Sequence, residues 1–191
     1  MTQTGSSQRD KDWVADNRAS QKWTRLELAG RVVWALVQPL FRFSPRPLWG
    51  WRRMLLRLFG AQIGRDVHIF PTARITIPWN LSAADSAAIG DRVIVYALGP
   101  IHIGARATIS QGAHLCAGTH DWRGPAMTLL KPPITIAEDV WICADAFVGP
   151  DVSVGAKAIL GARAVVMNDV PTEAIMMGNP AQQVGQRGAR S

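Results

Sequence analysis

Residues 136–166 read IAEDVWICADAFVGPDVSVGAKAILGARAVV, with an aliphatic residue at every sixth position. An α-helix repeats every 3.6 residues and a β-strand every two, so neither produces this period. A stride of six with a small residue behind the aliphatic one, as at Val154-Gly155 and Leu160-Gly161, is typical of a parallel β-helix. Each six-residue segment then forms one face of a triangular coil, and its aliphatic side chain points into the prism. The inward positions of this stretch are Ile136, Ile142, Val148, Val154, Leu160 and Val166.

The same period continues upstream in three shorter registers. They comprise Ile63, Ile69, Ile75 and Leu81; then Ile89, Val95 and Ile101; then Ile103, Ile109 and Leu115. The phase shifts by two residues between Leu81 and Ile89, and again between Ile101 and Ile103, where Gly99-Pro100 predicts a turn. Four stretches with one period predict an all-β domain over residues 61–170, whose stacked coils share a continuous core.

A long interruption separates Leu115 from Ile136. It contains Cys116-Ala-Gly-Thr-His-Asp-Trp122 and Lys131-Pro-Pro133, and we interpret residues 116–133 as a loop that leaves the coil. His120 lies on this loop. The other three histidines lie beside inward positions, which predicts surface locations without a catalytic role; they are His68, His102 and His114.

The positive charge is confined to one region. The net charge is +7, but residues 61–191 contain as many acidic as basic residues, so the excess lies in residues 18–60. This distribution argues against a nucleic-acid-binding coil domain and favours a local surface role. Residues 1–17 are polar, predict a disordered tail and contain no apolar signal segment, so cytoplasmic residence is expected. Residues 171–191 form a C-terminal segment.

Residues 18–60 predict two amphipathic helices. The first carries an apolar stripe up to Pro39: Leu26, Ala29, Val33, Leu36, Val37 and Leu40. The second stripe ends before Gly60: Trp49, Met54, Leu55, Leu58 and Phe59. Basic residues beside Trp, Leu and Phe are typical of a helix at a membrane interface. A helical cap on the open end of the β-helix explains the same pattern, and the uncharged stretch 32–41 is too short to span a bilayer.

Several segments resemble hexapeptide-repeat acyltransferases of the maltose and galactoside O-acetyltransferase superfamily, and most specifically colanic-acid biosynthesis O-acetyltransferases. They are residues 57–64, 77–81, 96–99, 109–111, 115–121, 133–136 and 178–181. The resemblance implies a left-handed parallel β-helix, a homotrimer with active sites between neighbouring subunits, and acetyl-CoA as co-substrate.

The resemblance also implies roles for individual residues. His120 matches a general base that removes a proton from a sugar hydroxyl as its oxygen attacks the thioester, and imidazole suits this task near neutral pH. Ala144 matches the position whose backbone N–H faces the thioester, where it can stabilise an oxyanion. Positions that match contacts to the pantetheine arm are Ala162, Arg163, Met167 and Asn168. Transfer is then direct, and neither Cys116 nor Cys143 is needed as a nucleophile.

The chain departs from the family pattern at two places. Gln182 and Gly185 stand where basic residues contact the CoA phosphates, so Arg187 is the candidate substitute. Residues 90–96 lack the superfamily's active-site asparagine, which leaves Asp91 or Tyr96 to position the acceptor.

Three further side chains have two interpretations each. Asp121 could orient His120 or cap the loop, and the second role is the simpler one. Trp122 and Trp141 could line the acyl slot or fill the trimer interface.

The leading expectation is an acetyl-CoA-dependent O-acetyltransferase acting on an exopolysaccharide (colanic-acid-like) or lipid-linked oligosaccharide precursor, held peripherally at the inner membrane by residues 18–60. Acetylation of a small acceptor such as a free sugar, an antibiotic or serine is an alternative. A non-catalytic scaffold and a zinc protein of the γ-carbonic-anhydrase type are others. The latter needs three convergent histidines, and the spacing here does not provide them, so no metal site is predicted.

Overall fold

The computed structural model describes residues 13, 15, 17–19, 22–124 and 126–188. The predicted disordered tail at 1–17 therefore lies mostly outside the described residues. Within it, Trp13, Ala15 and Asn17 are described and have helical geometry.

Three parallel sheets form the faces of a β-solenoid. Face A contains β1 (Gln62–Ile63), β4 (Leu81–Ala83), β7 (Ile101–Ile103), β12 (Ile134–Ile136) and β15 (Ser153–Val154). Face B contains β2 (His68–Ile69), β5 (Ala88–Ile89), β8 (Thr108–Ile109), β13 (Trp141–Ile142), β16 (Ile159–Leu160) and β18 (Ala174–Met177). Face C contains β3 (Arg74–Ile75), β6 (Ile94–Tyr96), β9 (His114–Cys116), β14 (Phe147–Val148) and β17 (Val165–Val166). The predicted fold class, a parallel β-helix with an N-terminal helical extension, is confirmed.

The C-terminal segment continues face B and then reverses direction. Strand β18 pairs in parallel with β16, and β19 (Gln182–Gln186) pairs antiparallel with β18. The chain thus ends the solenoid with a short antiparallel pair.

The strand register corrects the position of the first phase shift. Ile63 pairs with Ala83, so Ala83, and not Leu81, occupies the equivalent position in the second coil. The two additional residues therefore lie before Leu81, at the corner between faces C and A. A short 3-10 helix, Pro78–Asn80, occupies this corner.

The core is the interior of the prism. Residues of the six-residue stride such as Ile69, Ile109 and Leu160 are fully buried. Parallel strands of adjacent coils are only about 4.8 Å apart, so corner residues of neighbouring coils come close together. At Gly104, an added Cβ would lie 2.4 Å from the carbonyl carbon of Ala137 in the next coil, and only glycine fits there.

Two helices cover the N-terminal end of the solenoid: α1 (Arg25–Arg42) and α2 (Trp49–Leu58). A capping box starts α1, because the Thr24 hydroxyl accepts from the Glu27 N–H and the Glu27 carboxylate accepts from the Thr24 N–H. The helix continues through Pro39 to Arg42, three residues beyond its predicted end.

Side chains from these helices donate hydrogen bonds to backbone carbonyl groups at the free edge of the first coil. The donors and their carbonyl acceptors are Arg57 to Ile63 (2.8 Å), Arg53 to Val67 (3.1 Å), Arg52 to Ile69 (2.6 Å) and Trp34 to Ile75 (2.8 Å). An unpaired sheet edge promotes association with other chains, and these donors pair it internally. The extension is thus a cap, and the three arginines of α2 are committed to the coil.

Helix α1 contacts the coil through a different face from the predicted stripe. Trp34 and Phe41 are buried, with 2% exposure each. Leu26, Leu36 and Leu40 are 84%, 74% and 57% exposed. The aromatic side chains anchor one side of the helix, so most of the aliphatic stripe faces outward; Val37 alone among the described stripe residues packs against the core. None of the described helices has the length and apolarity required to cross a membrane.

Candidate active site

The predicted loop at 116–133 carries a small hairpin at the corner between faces C and A. Strand β10 (Thr119–His120) pairs antiparallel with β11 (Leu129–Leu130), and His120 lies opposite Leu129. The hairpin projects His120 from the solenoid, and the imidazole is exposed.

A backbone carbonyl orients the His120 ring. Its Nδ1 lies 2.6 Å from the Met127 carbonyl oxygen. A carbonyl oxygen only accepts hydrogen bonds, so in the neutral ring Nδ1 carries the proton and Nε2 presents a lone pair. This arrangement leaves Nε2 able to accept a proton from a substrate hydroxyl.

The neighbours of His120 have structural contacts within the hairpin. The Asp121 carboxylate accepts from the Arg123 N–H at 3.1 Å, and the Asp121 N–H donates to the Thr128 carbonyl at 2.8 Å. These contacts match the loop-capping interpretation of Asp121. Trp122 is 76% exposed at the tip.

Contacts from the N-terminal segment hold the hairpin, and sequence reasoning missed them. The Asn17 amide donates to the carbonyl groups of Ala126 and Met127. Lys131 donates to the Lys22 carbonyl at 2.7 Å and lies 3.4 Å from the centroid of the Trp23 ring. Each of these bonds ends on a backbone carbonyl and joins residues 109 or 110 positions apart in sequence, so no motif could have indicated them.

The corner between faces B and C brings together four predicted site residues: Asp91, Ala144, Ala162 and Arg163. The Arg163 N–H donates to the Ala144 carbonyl at 2.9 Å, which places their coils in register. The Asp91 carboxylate accepts from the Thr72 hydroxyl. One coil lies between Asp91 and Ala144: the Gly112 N–H donates to the Asp91 carbonyl, and the Asp145 N–H donates to the Gln111 carbonyl. The same corner of successive coils therefore aligns these positions in one column parallel to the solenoid axis.

The backbone N–H of Ala144 differs from those on either side of it. Cys143 donates to the Leu160 carbonyl and Asp145 to the Gln111 carbonyl, each at 2.8–3.0 Å. Among the described residues, no backbone carbonyl accepts from the Ala144 N–H. This group is therefore a donor that a ligand can engage.

The remaining predicted CoA contacts lie at other corners. Met167 and Asn168 follow β17, at the corner between faces C and A. Arg187 lies at the corner between faces A and B, where its guanidinium donates to the carbonyl groups of Asp139 (2.8 Å) and Lys157 (3.2 Å). It shares a shallow groove of about 250 Å³ with Trp141. Trp141 thus lies on face B and is not brought together with Trp122.

Face C separates His120 from Ala144 within one chain. Its outward residues form an apolar column of half-buried side chains: Ile94, His114, Phe147 and Val165. The ring of Tyr96, 37% exposed, contacts His114 edge-on with a centroid distance of 6.3 Å. His114 is therefore less exposed than predicted, and burial lowers the pKa of its imidazole.

The four histidines occupy separate parts of the chain. His68 stacks on Trp49 on face B, His102 is exposed on face A, His114 lies on face C and His120 on the hairpin. Within the described ranges, no group of three or more His, Cys, Asp or Glu side chains is arranged to hold a metal ion.

Burial makes both thiols poor nucleophiles. It raises the pKa of Cys116 and of Cys143 above the ordinary thiol value, which lowers the thiolate fraction at neutral pH. We expect alkylation by iodoacetamide at pH 7.5 to be several-fold slower than for free cysteine. We also expect the Cys116→Ser/Cys143→Ser double variant to keep its turnover within about threefold. Loss of turnover in a folded double variant would contradict direct transfer.

Repeated parallel coils and a hairpin that projects from them define the chain as a hexapeptide-repeat β-solenoid. No family model matches the chain. It is 44% identical over 157 residues to the colanic acid biosynthesis acetyltransferase WcaF of Escherichia coli (strain K12), and the match covers 82% of this chain and 86% of the relative. The WcaF protein of Shigella flexneri matches to the same extent. The chain belongs to this family of acetyltransferases.

Solved structures with low sequence identity share the fold. A hexapeptide-repeat acetyltransferase of Vibrio cholerae, complexed with acetyl-CoA, superposes with a TM-score of 0.80 at 21% identity and covers 94% of this chain and 99% of its own. A maltose O-acetyltransferase of Clostridium difficile 630 gives 0.78 at 19% identity, with 87% and 90% coverage.

Proposed function

We propose that this protein transfers an acetyl group from acetyl-CoA to a sugar hydroxyl of an exopolysaccharide precursor of the colanic-acid type, with His120 as general base. The observation that carries the proposal is the contact between His120 Nδ1 and the Met127 carbonyl, which directs a basic Nε2 away from the hairpin. Membership of the WcaF family supports the choice of acetyl donor and acceptor class.

The reaction follows from these groups. His120 Nε2 takes the hydroxyl proton while the sugar oxygen attacks the carbonyl carbon of the thioester. The resulting oxyanion accepts a hydrogen bond from the Ala144 N–H. The carbon–sulfur bond then breaks, and the thiolate of CoA takes the proton from the imidazolium. An ester and free CoA are the products.

A homotrimer would complete the site. His120 and Ala144 lie on opposite edges of face C, and one thioester cannot contact both within a single chain. The apolar column of Ile94, His114, Phe147 and Val165 gives face C a surface suited to a neighbouring copy. His120 of one subunit then faces Ala144 of the next.

The other candidate residues take roles around this centre. Ala162 and Arg163 continue the corner column beyond Ala144, and they are proposed to contact the pantetheine arm together with Met167 and Asn168. Arg187 binds a CoA phosphate, and Asp91 or Tyr96 positions the acceptor. Trp122 and Trp141 are separate within one chain, so they would line one acyl slot only across the subunit interface.

Peripheral membrane contact is assigned to α1. Its outward half is apolar and exposed, including Val32 (61%), Leu36 (74%) and Leu40 (57%), and basic side chains flank it. Phe43, directly after the helix, is 83% exposed. Such a helix inserts its apolar side among lipid headgroups, and each nearby Lys or Arg adds roughly 1 kcal/mol of attraction to anionic lipid.

We expect the Leu36→Glu/Leu40→Glu variant to lose at least about tenfold in affinity for phosphatidylglycerol vesicles, because two carboxylates replace apolar contacts. Vesicle co-sedimentation measures this loss. The matched control is Val184→Glu, since Val184 is 60% exposed on β19, outside α1. Equal binding by both variants and the unaltered protein would remove α1 from the membrane contact. Point variants are preferred to deleting residues 1–60, since deletion would expose the first coil.

Thiol release from acetyl-CoA tests the proposed function. The assay is run with and without a lipid extract containing polyprenyl-linked glycans, and mass spectrometry identifies the acetylated product. Acceptor-dependent release with an acetylated glycan supports the proposal. Release with free sugars or serine alone would move the assignment to a small acceptor, and neither release nor acetyl-CoA binding would favour a scaffold.

A further inference from the structure

A groove of about 390 Å³ lies between α1 and the first strand of face C. Arg31 and Arg42 from α1 line one side, and Arg74 from β3 lines the other. Gln38 and Thr76 add polar groups between them. We call this concavity the arginine groove.

The charge of the arginine groove is not neutralised by ion pairs. Five ion pairs occur among the described residues, and none includes Arg31, Arg42 or Arg74. The single acid on α1, Glu27, accepts hydrogen bonds from the Thr24 N–H (2.7 Å) and hydroxyl (2.9 Å). Those bonds are the main reason that the pKa of its carboxyl is lowered. The charges of Lys131 and Arg31 lower this pKa further, so Glu27 mainly serves the helix cap and offsets only part of the charge of Arg31.

Three arginine residues that line one concavity favour a multivalent oxyanion. Guanidinium presents a planar fork of N–H donors that matches phosphate oxygens, and clustered positive charge raises the local concentration of anions. Arg31 is also held in place, because its guanidinium lies 4.4 Å from the centroid of the Trp23 ring. A phosphate or diphosphate ester has the matching charge and shape.

The groove lies beside the apolar surface of α1. Successive residues of a helix are 100° apart, so Ala35, which lines the groove, lies between the arginine side and the outward face carrying Val32. An anion bound here could therefore carry a hydrocarbon chain that lies along exposed aliphatic side chains. This combination suits a prenyl phosphate ester better than a free anion.

The groove and the hairpin share face C. Arg74 lies on β3 and His114 on β9, two strand spacings apart through β6, which is about 10 Å. The hairpin with His120 follows β9 directly. Face C is also the surface proposed to contact a neighbouring copy, so a glycan attached to a diphosphate in the groove would enter the cleft between subunits, where the hairpin of His120 lies.

We propose that the arginine groove binds the diphosphate of a prenyl-linked sugar acceptor, with the prenyl chain on α1 and the glycan in the cleft between neighbouring subunits. This inference rests on the proposed function and specifies its substrate class: a glycan still attached to its lipid carrier, acetylated on a sugar close to the diphosphate.

Binding of farnesyl diphosphate to the full-length protein, measured by isothermal titration calorimetry, tests the proposal. We expect Arg42→Gln and Arg74→Gln each to weaken binding by about tenfold, as the loss of one charge-assisted contact predicts. The matched control is Arg65→Gln, because Arg65 is an exposed arginine of the same first coil but pairs with Asp85 outside the groove. Equal affinities for all three variants and the unaltered protein would overturn the site.

Three further ligands identify what the groove recognises. Farnesol should bind at least about tenfold more weakly than farnesyl diphosphate, and inorganic diphosphate should compete with it at higher concentration. If inorganic diphosphate binds as tightly as the prenyl ester, the groove is a free-anion site and the lipid-linked assignment is wrong. Arg42 lies on α1, so its loss also weakens binding to phosphatidylglycerol vesicles. The discriminating variant is therefore Arg25→Gln, which removes an arginine of α1 that does not line the groove. If Arg25→Gln weakens farnesyl diphosphate binding as much as Arg42→Gln does, the groove is only part of a basic membrane-binding surface and the proposal fails. Acetylation of a soluble oligosaccharide by the same variants reports on the transferase activity independently.

Discussion

Replacing His120 with alanine is expected to lower turnover by about 100-fold or more while leaving the protein folded. The imidazole is exposed on the hairpin, and its only described hydrogen bond goes to the Met127 carbonyl. Removing it leaves an exposed carbonyl that water can solvate, so the stability cost is small. The loss of the proton acceptor, in contrast, slows the acetyl transfer itself and so lowers turnover. Thiol release at saturating acetyl-CoA measures the change in turnover, and thermal unfolding confirms that the fold is intact.

The matched control is His102→Ala. His102 is also exposed on a strand, but it lies on face A, away from the hairpin and from both candidate corners. It should retain full activity. A second comparison is Asp121→Asn, which keeps the capping contact to the Arg123 N–H and should change turnover by less than about threefold. If His120→Ala is as active as His102→Ala, His120 is not the base.

Replacing Arg52 with methionine is expected to destabilise the N-terminal cap by about 3 kcal/mol. The Arg52 side chain is fully buried. It donates to the Ile69 carbonyl (2.6 Å), the Ser44 hydroxyl (2.8 Å) and the carbonyl groups of Pro45 (2.9 Å) and Arg46 (2.5 Å). Methionine fills similar space but leaves the buried Ile69 carbonyl, and three partly buried acceptors, without this donor.

The guanidinium of Arg52 joins three parts of the structure at once: α2, the connection before it and the edge of β2. For a chain of this length, 3 kcal/mol corresponds to a decrease in Tm of roughly 6–12 °C. Arg53→Met is the control, because Arg53 is partly exposed and makes one such bond, to the Val67 carbonyl. Its Tm should fall by less than about 3 °C. Equal effects of the two substitutions would show that the buried network of Arg52 contributes no more than a surface contact.

The placement of helix α1 shows where the sequence pattern misleads. Periodicity located both helices, since Leu26, Leu36 and Leu40 recur at helical spacing. It did not show which face packs, because an aliphatic stripe and an aromatic pair compete for the same surface. Trp34 and Phe41 contact the coil, and the Trp34 N–H also pairs the Ile75 carbonyl. Burial of this aromatic pair, with the hydrogen bond of Trp34, becomes favourable only where α1 contacts the edge of the first coil.

The candidate site also has a part that the sequence indicates and a part that only the structure shows. The motif around His120 is visible in the sequence because the excursion interrupts a strict repeat. The Met127 carbonyl that orients the ring is a backbone group. Every residue has such a carbonyl, so the sequence does not indicate which one contacts His120. The same holds for the Ala144 N–H, whose neighbours at Cys143 and Asp145 are paired across coils while it is not.

The sequence by itself determined the solenoid, because a six-residue stride of aliphatic side chains can be buried only when each segment forms one face of a coil. It also located the loop at 116–133 that leaves the coil, and the candidate base His120 on it. The tertiary structure decided that arginines of α2 cap the first coil, that Asp91, Ala144 and Ala162 align at one corner, and that Arg31, Arg42 and Arg74 form a groove. These arrangements depend on the register between coils and on packing between distant segments, and side-chain period within one segment carries no information about either.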